Sequence, residues 1–256
     1  MNRLAVTADD FGLMPCINDG IIALARAGRI SSASVMCHDE AALERAPELA
    51  SCGIRTGIHL VFSGEAGMPC DYRRLFVKTL LKPAALEEVR AAAQKQIARF
   101  LSLGLTLDFI NSHQYAHLIP HIWRTLQGVF EKHPGTAIRL PRHAPCGLKS
   151  SLLYVSSGLC SWISPAKGRR ILSPFGIDQA GGMVAKHAGA LLERISQTTL
   201  PAGCTAELVM HPGLENAELK TRYAAWHYNW RAEYDLLMSE AFQDMLVKMG
   251  LQYDRD

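Results

Sequence analysis

The feature that most constrains how this chain can fold is an alternation. Short apolar runs recur at 3–8, 31–36, 54–62, 105–110, 136–140 and 206–213, and stretches with helical character lie at 15–28, 39–50, 83–104, 120–132, 184–197 and 231–249. Strands that take turns with helices build βαβ units, so the expected fold is α/β with a largely parallel sheet. Proline and glycine punctuate it: Pro15 suits a first helical turn and Gly28 its end, Gly250 stops the last helix, and Pro47 is expected to interrupt 39–50. The clearest amphipathic helix is 83–104, with Leu86, Val89, Ala93, Ile97 and Leu101 at helical spacing. Residues 63–83 carry Gly, Pro and basic residues and are expected to form an irregular insertion. No internal repeat, low-complexity tract or linker is evident, so residues 1–256 are expected to form a single domain.

Composition removes several classes of function. With 48% hydrophobic residues and 20% charged residues the chain can bury a core and is not disordered. A net charge of +3, without a basic stripe interleaved with aromatics, argues against nucleic acid. The seven cysteines, at 16, 37, 52, 70, 146, 160 and 204, include no CxxC pair. That pattern fits a reduced, cytoplasmic protein. No signal-peptide pattern and no apolar run long enough to span a membrane is expected.

In α/β folds, sites collect where strands end. Here four strand candidates end in, or lead into, ionisable groups. The first ends in Asp9 and Asp10, the third carries His59, the fourth leads into "NSHQYAH" with His113 and His117, and a late one ends at His211. Each has a plain structural alternative. Adjacent aspartates cap turns and helices, a strand histidine packs and bonds, and a histidine before Pro-Gly sits in a turn. The HxxxH pair is expected on a helical turn, where i and i+4 face the same way. A carboxylate and two imidazoles form a facial set for a divalent ion with open positions. Such an ion lowers the pKa of water from about 15.7 toward 7. A second carboxylate beside the ligand would then take the proton, which is one reason to place two aspartates side by side.

The blocks "TADDFGL" (7–13), "GIHLVFSG" (57–64), "NSHQYAHLIP" (111–120) and "ELVMHPG" (207–213) together resemble the YdjC-like carbohydrate deacetylases, the ChbG/HpnK family. The resemblance implies a distorted (β/α) barrel of mostly parallel strands and metal-dependent removal of acetyl from an N-acetyl sugar or glycoconjugate. It implies metal ligands at Asp10, His59 and His113, a general base at Asp9 and a general acid at His211. His117, Arg139 in "AIRLPR" and Tyr115 are expected to contact or shape the substrate site. The ion would be one divalent metal, Zn2+ or Mg2+, with Mn2+, Co2+ or Ni2+ also open.

The chain departs from the family pattern twice. Asn111 stands where Asp is usual, and Tyr115 where His is frequent. If that Asp orients a ligand histidine, its loss would lower metal affinity. Rival readings are a barrel protein of this family without turnover, and a hydrolase of another bond such as a phosphoester. Two segments beyond these blocks raise further expectations. The aromatic run "KTRYAAWHYNWR" (220–231) can stack on sugars or pack the last helix. The stretch 151–170, apolar and then basic, can form a buried lid, a homodimer contact or a peripheral membrane contact.

Overall fold

The computed structural model describes residues 2–37, 43–62, 72–166 and 168–255. The first part of the helix expected at 39–50 and residues 63–71 of the expected insertion lie outside these segments, apart from residues 43–50 of the former.

Seven parallel strands of the described residues close into a barrel: β1 (Asn2–Phe11), β2 (Ser32–Val35), β3 (Arg55–Leu60), β4 (Phe109–Ser112), β5 (Ala137–Arg139), β6 (Ile171–Phe175) and β7 (Cys204–Met210). They follow chain order around the barrel, and β1 closes it by pairing with both β2 and β7. An eighth strand, β8 (Leu251–Tyr253), pairs in parallel with Asn2–Leu4, ahead of the part of β1 that meets β2. The helices are α1 (Pro15–Arg26), α2 (Ala46–Ala50), α3 (Tyr72–Leu81), α4 (Pro83–Ser102), α5 (Pro120–Phe130), α6 (Leu148–Ile163), α7 (Ala185–Gln197), α8 (Ala217–Arg222), α9 (Trp230–Met238) and α10 (Glu240–Lys248).

Strand side chains alternate between two faces. Leu4, Val6, Ala8, Ala33, Val35, Ile58, Leu60, Ile110, Ile138, Leu208 and Met210 belong to the main core shared with the helices. The residues between them point into the barrel. Ala5, Phe109, Ala137 and Leu172 make a separate apolar cluster there. Further along six of the strands the inward residues are polar: Thr7, Asp9, Ser34, His59, Asn111, Arg139 and Glu207, all 3% exposed or less. The barrel thus has an apolar plug at one level and an ionisable layer toward the strand C-termini.

Several elements differ from the sequence reading for identifiable reasons. The strand at 171–175 contains Pro174, which lacks a donor and reads as a breaker. β8 is only three residues long, too short for a period to show. The expected insertion includes the regular helix α3. Pro47 sits in the first turn of α2, which begins at Ala46, rather than interrupting a helix. The expected last helix is two, α9 and α10, because Ser239 adopts an extended backbone and its hydroxyl accepts from Phe242 N at 3.2 Å as a new N-cap. Segment 151–163 is helical but not a buried lid: Leu148, Leu152, Val155, Leu159 and Trp162 form a stripe along α6 that is 45–82% exposed.

Candidate active site

Asp9 and Asp10 share one end of the barrel because β1 breaks its own periodicity. Ala8 pairs with Ala33 and Phe11 with Val35, so three steps on β1 match two on β2. This is a β-bulge, and Asp10 occupies it with φ 70°. In a regular strand Asp10 would point into the helical layer. The left-handed conformation costs roughly 1–2 kcal/mol for an L residue, least for Asp and Asn, and returns the second carboxylate to the same end as the first. Gly12 completes the turn at φ 95°, where a Cβ would lie 2.3 Å from Met36 O.

The imidazoles converge on Asp10. His59 Nε2 lies 3.3 Å and His113 Nδ1 3.5 Å from Asp10 Oδ1. Asp10, His59 and His113 place one ligand atom each within 4.8 Å of one another. Neither Asp10 oxygen makes a geometrically sound hydrogen bond, and His113 Nε2 has none either, though all are buried. Buried polar atoms without partners cost free energy and call for an explanation. A divalent cation fits: the donor set is one carboxylate and two imidazoles, the three residues place a ligand atom each within 4.8 Å of one another, and both Asp10 oxygens lack a partner. Burial raises the Asp10 pKa, but His113 and His59 outweigh it and hold the carboxyl well below its usual range. Burial opposes charge on His59, while the Asp9 and Asp10 carboxylates favour it and prevail.

Asp9 is held by different partners. Arg139 Nη1 donates to Oδ2 at 2.6 Å and Nη2 to Oδ1 at 2.9 Å. Ser34 Oγ donates to Oδ1 at 2.5 Å. The other edge of the guanidinium binds Glu207, through Nε at 2.7 Å and Nη2 at 2.8 Å, and Thr7 Oγ1 donates to Glu207 at 2.8 Å. Burial raises the Asp9 pKa, yet the Arg139 charge overcomes it and brings it down to about 2. Arg139 therefore orients and ionises Asp9.

The loop after β4 departs from the expected helical turn. Gln114 and Tyr115 both have left-handed backbones, φ 53° and 57°, so His113 and His117 do not share a face. His113 turns to Asp10. His117 lies behind the site, fully buried, with Ser112 Oγ at 2.7 Å from Nδ1 and the Arg139 carbonyl accepting from Nε2 at 2.9 Å. A cavity here is lined by Asp9, His59, His113, Gln114, Tyr115, Arg139, His211 and Tyr228 among others. His117 does not line it; Tyr115 and Arg139 do.

His211 follows β7 at the cavity wall. It is 8% exposed, its Nδ1 has no partner, and its backbone N–H donates to Glu233 at 2.6 Å. The aromatic run packs on the site histidines. Trp226 stacks on His113 with ring centres 4.9 Å apart, and Tyr228 meets His211 edge-on at 5.0 Å. Three contributors were not singled out from the sequence, Ser34, Glu207 and Glu233, whereas Tyr228 falls inside the aromatic run at 220–231. A charged residue inside the apolar run "AELVM" signalled Glu207. Glu233 left no signal, since a glutamate in a surface helix is ordinary.

Fold and site together define a parallel α/β barrel with an Asp/His/His cluster at the C-terminal ends of its strands. The YdjC-like protein model matches residues 3–248, and the chain belongs to this family. A carbohydrate deacetylase of Mus musculus is 29% identical, covering 82% of this chain and 78% of its own length. The Homo sapiens carbohydrate deacetylase is 28% identical, with 82% and 75% covered. One from Clostridium beijerinckii is 31% identical over 51% of this chain and 57% of its own. Among solved structures, a proposed cellobiose-phosphate cleavage protein of Enterococcus faecalis superposes with TM-score 0.70 at 19% identity, covering 99% and 97% of the two chains. A lactam utilization protein of Thermus thermophilus gives 0.52 at 14%, with 99% and 100% covered. At these identities the structural matches speak for the fold.

Proposed function

We propose that this chain is a metal-dependent carbohydrate deacetylase that removes an N-acetyl group from an amino sugar or glycoconjugate. The observation that carries the reading is the pair of unpartnered Asp10 oxygens facing His59 and His113, beside an Asp9 that Arg139 keeps ionised. The names of the mammalian and clostridial relatives support the carbohydrate substrate.

Asp10, His59 and His113 would hold the ion. When bound, a divalent cation supplies Lewis-acid polarisation of the acetyl carbonyl and acidifies water. Asp9 accepts the proton of the attacking water. Its Oδ2 takes one hydrogen bond, from Arg139, which leaves a lone pair free. Arg139, doubly bound to Asp9 and Glu207, fixes that oxygen in place. His211 gives a proton to the departing amine from the cavity wall. Tyr115 and Tyr228 enclose the acetyl group, and burial pushes both phenols up so that they stay neutral donors. Water and the N-acetyl sugar give acetate and a free amino sugar.

Acetate release from a panel of N-acetyl sugars, chitooligosaccharides and lipid- or nucleotide-linked sugars, with added Zn2+ or Mg2+ and after chelation, tests the reading. No acetate from any of them under any metal condition would overturn it.

The six cysteines of the described residues are free, which supports a reducing, cytoplasmic setting. No described helix is long and apolar enough to cross a membrane. The exposed stripe on α6 supports a contact with a second copy or a membrane surface. Light scattering against concentration and co-sedimentation with vesicles separate the two.

A further inference from the structure

Asn111 sits opposite His59 in the β3–β4 ladder, fully buried between that ring and the Arg139 guanidinium. One end of its carboxamide is 2.6 Å from His59 Nδ1, and the other is 2.9 and 3.0 Å from Arg139 Nη2 and Nη1. The two ends differ only in chemistry, one an acceptor and the other a donor. A guanidinium has donors only, so the arrangement without a donor–donor clash turns Oδ1 to Arg139. Nδ2 then donates to the Ile58 carbonyl at 3.0 Å and to His59 Nδ1 at 2.6 Å. All the amide's contacts are satisfied in that orientation.

The consequence falls on His59. A neutral imidazole that accepts at Nδ1 carries its hydrogen on Nε2. Nε2 is the nitrogen that faces Asp10 Oδ1 at 3.3 Å, and a ring nitrogen bearing hydrogen has no lone pair for a cation. Holding an ion there requires the hydrogen to move to Nδ1. Two acceptors are within reach: Ser34 Oγ at 3.2 Å, which can accept while it donates to Asp9 but leaves Asn111 Nδ2 2.6 Å from the newly protonated Nδ1, and Asn111 Oδ1 if the amide turns over. Turning over sets Nδ2 against the buried guanidinium.

We propose that Asn111 is a positioning residue that opposes metal binding: its amide, held by Arg139, locks His59 with hydrogen on the metal-facing nitrogen, and a cation can be held only after the amide turns over. This rests on the metal-site reading above. A carboxylate at this position would accept from Arg139 and from His59 Nδ1–H together, with no conflict.

The test uses the metal-stripped full chain and Zn2+ alone as the probe. In wild type, 15N NMR of the neutral His59 ring is expected to show Nδ1 without hydrogen, and in Asn111→Asp with hydrogen. Zn2+ affinity, measured by competition with a chromophoric chelator, is expected to rise 10–100-fold in Asn111→Asp, the range seen for groups that orient ligands. Asn111→Ala separates the lock from the added charge. Freed of the amide, His59 Nδ1–H donates to Ser34, and affinity is expected to rise several-fold. An orienting partner of the ordinary kind would instead lose affinity on truncation, and that loss overturns the proposal. So does a wild-type His59 already carrying hydrogen at Nδ1. If neither wild type nor Asn111→Asp binds Zn2+, the metal reading falls with it. Equal, measurable affinities in the two chains remove the lock and leave the metal reading standing.

Discussion

Arg139 and Asp9 form a two-bond pair, Nη1 to Oδ2 at 2.6 Å and Nη2 to Oδ1 at 2.9 Å, inside a barrel where both are almost wholly hidden from water. The pair couples stability to chemistry. Arg139→Ala leaves Asp9 and Glu207 as buried, uncompensated carboxylates, and losses of this kind run to about 3–5 kcal/mol. Denaturant unfolding should show it. Asp9→Asn keeps hydrogen bonding to the site while removing the proposed base, so turnover should fall roughly 10²–10⁴-fold with metal content unchanged. Loss of metal in Asp9→Asn would mean that Asp9 is itself a ligand.

Asp10 separates binding from backbone cost. Asp10→Ala and Asp10→Gly should both lose the ion, as should His59→Ala, measured by elemental analysis of purified protein. Glycine adopts φ 70° freely, whereas alanine there meets the left-handed penalty. The glycine variant should therefore be more stable than the alanine variant by about 1 kcal/mol, even after allowing for glycine's greater freedom when unfolded. Equal stability would show that the bulge relaxes without the carboxylate.

His117 makes the fold acid-sensitive. Burial, above all, lowers its pKa from an ordinary 6.5 to about 4, and the neutral ring accepts from Ser112 while donating to the Arg139 carbonyl. Between these values the unfolded chain takes up a proton that the folded one refuses. Stability should thus fall as pH drops from 6.5 toward 4, by up to about 1.4 kcal/mol per pH unit from this residue. His143, also lowered to about 4 by burial, adds to the same window. Urea unfolding at pH 4.5, 5.5 and 6.5 should show a shallower slope in His117→Asn than in wild type. Identical slopes would remove His117 from the account.

His211 should matter most where the leaving group most needs a proton. His211→Ala should lower turnover on an N-acetyl sugar far more than on an activated acetyl ester, and should leave bound metal intact. An amine leaves poorly without protonation, whereas a phenoxide does not need it. Equal losses on the two substrates would reduce His211 to a positioning role.

The parallel α/β sheet was legible because short apolar runs take turns with helical stretches along the chain, so strand ends could be located before any motif was considered; its closure into a barrel came from the resemblance. The gathering of Asp10, His59 and His113 was legible because they fall at or just after those ends and the resemblance singles out the three together. The behaviour of His117 was not. Its spacing from His113 signals a shared helical face, and only the left-handed backbones of Gln114 and Tyr115 undo it. Neither residue type advertises positive φ. Nor does the sequence state that Asp9 and Arg139 meet across 130 positions, since such a contact follows from strand order alone. Ser34 and Glu233 are ordinary polar residues whose partners exist only after the barrel closes.

Strand β1 is bonded to three others, and two of these, β7 and β8, come from the far end of the chain. On the ribosome this sets an order of events. Asp9 and Asp10 are made long before their partner, and β1 has no neighbour on its β7 side until Ala206–Met210 has followed. At roughly 5–20 residues per second that wait lasts on the order of ten to forty seconds. Through it the nascent protein carries an apolar, half-paired strand ending in two carboxylates. The two aspartates therefore act as solubilising charges on an unfinished edge before they become part of a buried centre.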